Sequence, residues 1–405
     1  MNVIVIGAGV AGAATAIALR RLGLEVTVYE AYAEPAGQVG SFLSLASNGL
    51  RVLRSLGVLE EVQRAGIDVP RQRMWSGSGK LLGDVPRGRP GGDALHSVTL
   101  MRGALVEVLR AEAVAAGAVV VTGERLVDVT TVEEGGVRAE FASGRTARAS
   151  LLVGADGIWS ATRTLLAPHA PTPEYAGLYS ISGVAEGIET PPGVFNLTFA
   201  RGGAFLHLAA PGDRVWWSAQ VPGATEPEPG LTDEERLQHL AGLYRHDQVP
   251  SAILAATTAL HRPTPMHRLG AVPVRHDDRI VLIGDAAHPV GAGQGASMAL
   301  EDALVLARSL AAEPSVAAAL AAYEATRSAR VATMVKASSD NRDAKTAGPL
   351  ARRMRDLVMP LGIRLFYARA TAWLYTHDCG ELPAARPAAD GQRRSGASGG
   401  HWVSG

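Results

Sequence analysis

The first thirty residues carry a clear change of hydrophobic period. A β-branched run over Asn2–Ile6 predicts a strand, Ala13–Leu22 has helical composition and stops at Gly23, and Glu25–Glu30 returns to strand. That is one βαβ unit at the N-terminus. Further on, the pattern predicts helices over Ala46–Leu56 and Arg102–Ala116, each ended by a glycine. Between them, Ser76–Asp93 is rich in Gly, Pro and Arg and reads as too polar and broken for core. Residues 119–153 read as hairpin-like strands, VVVT, RLVDVTTV, VRAEF and ASLLVGADG, with turns at EEGG and ASGR. From about 175 to 275, short strands carrying aromatics are interrupted by two helices. One starts at a capping box, Thr232 with Glu235, and the other covers Ser251–Leu260. Two long Ala/Arg-rich helices are expected over 315–340 and 347–376, and a disordered Gly/Ser/Arg/Pro tail over 384–405.

Composition narrows the field. With 405 residues, 47% of them hydrophobic, the chain can build a full core. Lys+Arg and Asp+Glu are both 39, so no net field recruits nucleic acid or membrane, and neither is expected as a partner. Cys379 is the single cysteine, which excludes a disulfide framework and a CxxC redox pair and makes the cytoplasm the default location. The apolar start has no basic region ahead of it and is broken by glycines, so it reads as structure and not as an export signal.

The chemistry sits in three glycine-punctuated loops. In Gly7-Ala8-Gly9-Val10-Ala11-Gly12, Gly7 permits a tight turn, Gly9 lets a pyrophosphate approach the backbone, and Gly12 lets helix and strand pack closely. Glu30, ending the second strand, can accept hydrogen bonds from a ribose. This unit alone suits FAD or NAD(P). Near the other end, the apolar strand Arg279–Ile283 runs into GDAAHPVGAGQGASMALEDA. Asp285 stands at a strand's C-terminal end and can bind a polyol such as a flavin's ribityl chain. Gly291, Gly293 and Gly295 leave a helix N-terminus bare, so N–H groups near Gly295 and Ala296 can face the flavin edge where negative charge collects on reduction. A Gly-rich connection capped by an aspartate is the plainer alternative. The third loop, GADGIWSATR, has a strand end, the Asp156-Gly157 turn, and a helix with Arg163 one turn in.

In this order and at these separations, GAGVAG, GADGIWSATR and GDAAHPVGAGQGASMALEDA resemble the dinucleotide, DG and GD motifs of the FAD-dependent aromatic hydroxylases, the para-hydroxybenzoate hydroxylase-like group A flavoprotein monooxygenases. The similarity extends to VGSFLSLASNGLRVLRSLG, MRGAL and WLYTHD, and so covers nearly the whole chain. It implies an α/β fold: a Rossmann-like FAD-binding domain from residues 1–69, 101–167 and 276–345, an inserted, mostly antiparallel β-sheet substrate domain from 70–100 and 168–275, and C-terminal helices over 346–383. It implies that Arg102 contacts FAD, that Asp285 binds the ribityl chain, and that Asp156 and Arg163 belong to a motif linked to FAD and NAD(P)H. Phe42 stands where many relatives have glycine, and Gln38 near where they have arginine, which bears on how freely the flavin moves. The thioredoxin-like extension of larger members is not expected.

The resemblance also implies a reaction. NADPH or NADH docks transiently and reduces FAD, O2 is captured as a C4a-hydroperoxyflavin, and an oxygen passes to an aromatic or polyketide-like substrate in a closed apolar cavity. Strand periodicity places Phe205 with His207 on one face, and splits Trp217 and Ala219 from Trp216, Ser218 and Gln220. His207 and Trp217 are expected to line the pocket, with Met266 and Pro289 near the flavin. No catalytic base is evident; His207 and His288 are the candidates, His288 reading better as a loop residue that satisfies backbone groups. No residue cluster suggests a metal. Competing readings are an FAD epoxidase, reductase or halogenase on the same scaffold, a non-catalytic dinucleotide-binding protein, and an NAD-dependent dehydrogenase. Monomer and homodimer are both left open.

Overall fold

The computed structural model describes residues 1–33, 41–132, 135–291, 293–345 and 349–384, with side chains described throughout except over 339–352. Gln38, part of the EEGG turn and the tail from residue 385 therefore lie outside the described residues. Ten helices are described: α1 Val10–Arg21, α2 Ser47–Ser55, α3 Leu59–Ala65, α4 Arg102–Ala115, α5 Ala161–Leu166, α6 Asp233–Tyr244, α7 Gln248–Ala255, α8 Gly295–Ala312, α9 Val316–Lys345 and α10 Pro349–Tyr375.

The first layer is a five-stranded parallel sheet in the order Ile280–Leu282, Leu151–Gly154, Asn2–Ile6, Glu25–Glu30, Val119–Thr122. Its inner strands are apolar on both faces because both are covered. On one side α1, α4 and α8 bring Ile17, Leu19, Leu109, Leu300 and Leu304 against Val3, Val5, Leu151 and Val153. On the other, the antiparallel meander Leu126–Val132, Gly136–Phe141, Thr146–Ala149 packs Val137, Ala139 and Phe141 on Ile4, Ile6 and Leu152. Val119–Thr122 and Leu151–Gly154 are thus parallel strands of the main sheet and not hairpin arms. Strand runs that look alike in sequence cannot reveal a partner supplied from 90 or more residues away.

The second layer is an eight-stranded sheet with the path Thr257–Leu260, Glu174–Glu186, Arg214–Pro222, Gly203–Ala210, Val194–Ala200, Arg71–Ser76, Leu81–Pro86, and with Thr264–Arg268 also on Glu174–Glu186. Only the Val194–Ala200 pairing with Arg71–Ser76 is parallel. The stretch read as too broken for core supplies an edge hairpin whose Leu82 and Val85 are buried. Leu82 and Val85 stand three residues apart, out of step with the strand period of two, beside an irregularity in the pairing at Met74 and Trp75. The helix expected over Ser251–Leu260 ends at Ala255, and Thr257–Leu260 is a strand: two threonines favour extended backbone where the sheet offers an edge. The α6 capping box is present, with Thr232 and Glu235 each bonded to the other's backbone N–H. The helix α3 has no counterpart in the sequence-based expectations.

Candidate flavin and substrate site

The glycines of the first loop divide by physical role. Gly7 has φ +98°, and a Cβ there would stand 2.5 Å from the Ala155 carbonyl oxygen. At Gly12 a Cβ would lie 1.9 Å from the Gly7 carbonyl oxygen. Both are required by the protein's own backbone. Gly9 is different: its φ of −76° and ψ of −167° suit any residue, and no atom lies within 4 Å of a Cβ placed there. It is the N-cap of α1 without a side-chain cap, so free N–H groups and open space coincide. At the rim, Glu30 accepts from the N–H groups of Ala8 (2.8 Å) and Tyr32 (3.0 Å).

The second loop meets the first. Gly284, at φ +57°, approaches Ala11 of α1 so closely that a Cβ would be 3.0 Å from the alanine's Cβ. Asp285 follows in a single 3-10 turn, and Arg102, the exposed first residue of α4, acts on it electrostatically. Burial pushes the Asp285 carboxyl up, and Arg102 and His288 pull it back. A Cβ on Gly295 would lie 3.9 Å from Asp285 Oδ1, and α8 starts at Gly295 with no side-chain cap. Two uncapped helix N-termini, an acid and an arginine therefore converge, and Gly293 (φ +118°) adds no side chain. These residues fit FAD: α1 and Glu30 suit the pyrophosphate and ribose, Asp285 and Arg102 the middle, and the Gly295-Ala296 end of α8 the ring. Asp285→Asn should leave the apo fold at least as stable, since an amide carries no charge to bury, yet weaken FAD binding. Thermal unfolding with and without added FAD separates these effects, and undiminished flavin binding would remove Asp285 from the site.

Asp156 ties the third loop to itself, and Arg163 holds that loop against the second. Asp156 accepts from Ser160 Oγ (2.6 Å), Thr162 N–H (2.9 Å) and Thr162 Oγ1 (3.0 Å). Arg163 is 2% exposed and donates to the carbonyls of Ala286 (3.0 Å) and Ile158 (2.7 Å). Both terminal nitrogens of the guanidinium are thus engaged as a brace behind the Asp285 turn, while Nε has no partner among the described residues. A direct contact between Arg163 and NAD(P)H, as expected from the motif, does not fit this burial.

Two further expectations are corrected by the faces of the large sheet. Residues directly opposite on antiparallel strands share a face, so His207 goes with Trp217 and Phe205 with Ala219. That face is covered by α6 and α7: Trp217 stacks on Phe205 at 5.5 Å, and Tyr244 meets Phe205 edge-on at 5.4 Å. His207 and Trp217 are therefore core residues on the side away from the first sheet's loops. Burial drives the His207 pKa down to about 4, so the ring is neutral near pH 7. The opposite face presents Trp216, Leu206, Leu208 and Phe195 to Val69 and Phe42. Phe42 lies 6.2 Å from Trp216, stacked, and 6.1 Å from Phe195, edge-on. Its strand pairs Phe42 with Met101, next to Arg102, so this aromatic cluster adjoins the flavin-facing loops. Met266 is half-buried on Thr264–Arg268, and Pro289 is half-buried between His288 and Val290.

His288 is also structural. Its Nε2 lies 2.7 Å from Asp302 Oδ2, and Asp302 further accepts from the Gly284 N–H (2.8 Å) and Arg327 Nε (2.7 Å). Glu301 beside it takes Arg327 (2.7 Å), Arg330 (2.9 Å) and Asn48 (2.8 Å). Burial raises both carboxyls, but Arg327 and Arg330 at Glu301, and His288 ahead of Arg327 at Asp302, outweigh it and hold both below their ordinary range. This network fixes the Gly284 turn and α8 together. Sequence reading missed it; the only signal was an acidic pair inside an otherwise apolar helix.

Known proteins share the sequence pattern and the fold of this chain. Residues 1–338 match the FAD binding domain family. Aurachin C monooxygenase/isomerase of Stigmatella aurantiaca is 32% identical over 355 residues, covering 84% of this chain and 88% of that protein. The 3-hydroxybenzoate 6-hydroxylase of Klebsiella oxytoca is 28% identical over 396 residues, covering 93% and 96%. Among solved structures, Klebsiella pneumoniae HpxO complexed with FAD and uric acid superposes with a TM-score of 0.80 at 24% identity, over 95% of this chain and 98% of that one, which shows a shared fold. No described helix is long and apolar enough to cross a membrane. From the three loops, their convergence and these matches, the chain belongs to the family of FAD-dependent aromatic hydroxylases.

Proposed function

We propose that this FAD-dependent monooxygenase hydroxylates a planar aromatic or polyketide-like molecule bearing an anionic group, which Arg87 holds. FAD, when bound, supplies electron transfer from NADPH or NADH and the activation of O2. One oxygen atom enters the substrate and the other leaves as water, with the nicotinamide oxidised. The protein's part is to seat the aromatic ring and keep water from it.

The carrying observation is Arg87. Its guanidinium lies over the Phe195 ring, 3.3 Å from the centroid, and donates to Ser44 Oγ (2.9 Å) and to Gln72 Oε1. Ser44 stands two residues from Phe42 on the strand Phe42–Leu45 of a small three-stranded sheet, and Gln72 belongs to the large sheet, so Arg87 links these two sheets beside the aromatic cluster. Its Nε has no partner among the described residues, and the groups that act on its charge are Tyr375 and Tyr367, not a carboxylate. Burial lowers its pKa to about 10, which leaves it cationic at neutral pH. A half-buried cation with no carboxylate partner among the described residues is costly unless a ligand anion completes it. Phe195, Phe42 and Trp216 then supply flat apolar surfaces for a ring.

Arg87→Met should raise KM for a hydroxybenzoate by about 10- to 100-fold, the loss of a charge-assisted hydrogen bond, while the visible flavin spectrum is kept. The matching hydroxybenzamide should lose far less. Equal losses on acid and amide, measured by substrate-dependent NAD(P)H oxidation, would remove the anionic group from the reading.

A further inference from the structure

Helix α10 has two apolar faces, and among the described residues only one is covered. Met359 and Ile363, with Tyr367, pack on Met74, Leu82 and Phe199 beneath the large sheet. The other face carries Met354, Leu357, Val358, Leu361 and Leu365, all more than half exposed, with Leu357 at 71% and Leu361 at 61%. Their spacing at three and four residues makes one stripe about three turns long. Phe366 (62%) and Trp373 (38%) stand at its margin. An uncovered apolar stripe of this size marks an interaction surface.

Charge identifies what it meets. The α10 sequence has five arginines and one aspartate, in a chain whose net charge is zero. The aspartate, Asp356, is taken by Arg355 at 2.8 Å, and that arginine also lies over Phe199 on the inner side. Arg353, Arg364 and Arg369 are exposed along the borders of the stripe. Whole-chain neutrality, which argued against a membrane partner, averages this local charge away. A two-fold pairing of identical copies through the stripe would oppose the same arginines. A negatively charged lipid surface would be neutralised by them while receiving the leucines.

We propose that the outer face of α10 docks the protein on anionic lipid bilayers, lying in the interface without crossing it. Because the inner face of the same helix packs against the large sheet, docking sets the substrate layer beside the lipid, a route suited to an amphiphilic aromatic substrate that partitions there. The test is co-sedimentation of the FAD-loaded enzyme with phosphatidylcholine vesicles, with and without phosphatidylglycerol. Binding is expected to the anionic vesicles and to weaken with salt. Leu361→Glu and Arg364→Glu should each reduce the bound fraction by about tenfold with flavin absorbance unchanged. Absence of binding by the parent enzyme, or undiminished binding by both variants, overturns the proposal. So does a Leu361→Glu variant that instead converts a dimer to a monomer in sedimentation, which would assign the stripe to a second copy.

Discussion

Gly9→Asp is expected to yield a folded protein without flavin colour. The backbone at Gly9 is extended and nothing lies within 4 Å of a Cβ there, so the substitution meets no steric obstacle. Aspartate is also a good N-cap, and its carboxylate can take a free N–H of α1; apo stability should stay level or rise by a few tenths of a kcal/mol. The same carboxylate occupies the pyrophosphate's place with like charge, costing several kcal/mol, about a thousandfold in FAD affinity. Gly12→Ala, three residues on, should behave oppositely. A Cβ at 1.9 Å from a backbone oxygen cannot be relieved by a rotamer change, so this variant should fail to fold and accumulate as insoluble protein. Flavin absorbance, circular dichroism and solubility of the two proteins decide the matter. A yellow Gly9→Asp protein would mean that the pyrophosphate does not bind at α1.

Arg327→Met should be the most damaging substitution far from the loops. Glu301 and Asp302 are 0% exposed, and Arg327 contacts both at 2.7 Å. Removing it strands buried charge, at a cost of about 3–5 kcal/mol, or roughly 10 °C in Tm. The pH dependence gives a second signature. Both carboxyls are depressed in the fold, so their contribution in the parent protein is complete above their ordinary range near pH 4 and is lost as pH falls through the folded values. In the variant the stranded carboxyls take up protons more readily, so its deficit should shrink in mild acid. Thermal unfolding at neutral pH and near pH 5 checks this; a deficit that is small at neutrality, or one that grows in acid, would count against a charge-based role. Because Asp302 also holds the Gly284 N–H, the variant should lose flavin more easily as well.

The cofactor half of the site was legible because its information is local. GAGVAG, GADGIWSATR and the Asp285 loop each combine a strand end, a turn and a helix start within about a dozen residues, and glycine spacing there reports backbone geometry directly. Even so, the three glycines of the first loop look equivalent in sequence. Only packing separates Gly7 and Gly12, which the protein itself needs, from Gly9, whose space is left for a ligand. The burial of Arg163 against Ala286 comes from a loop 123 residues away, which its own motif cannot show.

The substrate half was less legible. Alternation along Gly203–Ala210 and Arg214–Pro222 separates two faces, but both are apolar and aromatic, and nothing in the strands says which one α6 and α7 will cover. Their docking against Phe205 and Trp217 leaves the other face, with Trp216, to Phe42 and Val69. Arg87 was hidden in a stretch that reads as loop, and its meaning comes from the company it keeps: Phe195, Ser44, Gln72 and two tyrosines of α10. By itself the sequence determined the βαβ start, the three loops, the family and the kind of cofactor, all written in short-range patterns of period and glycine. The tertiary structure alone decided which sheet face α6 and α7 cover, which charges are buried together and which side of α10 the described residues leave uncovered, because each depends on contacts between segments that chain separation keeps invisible to one another.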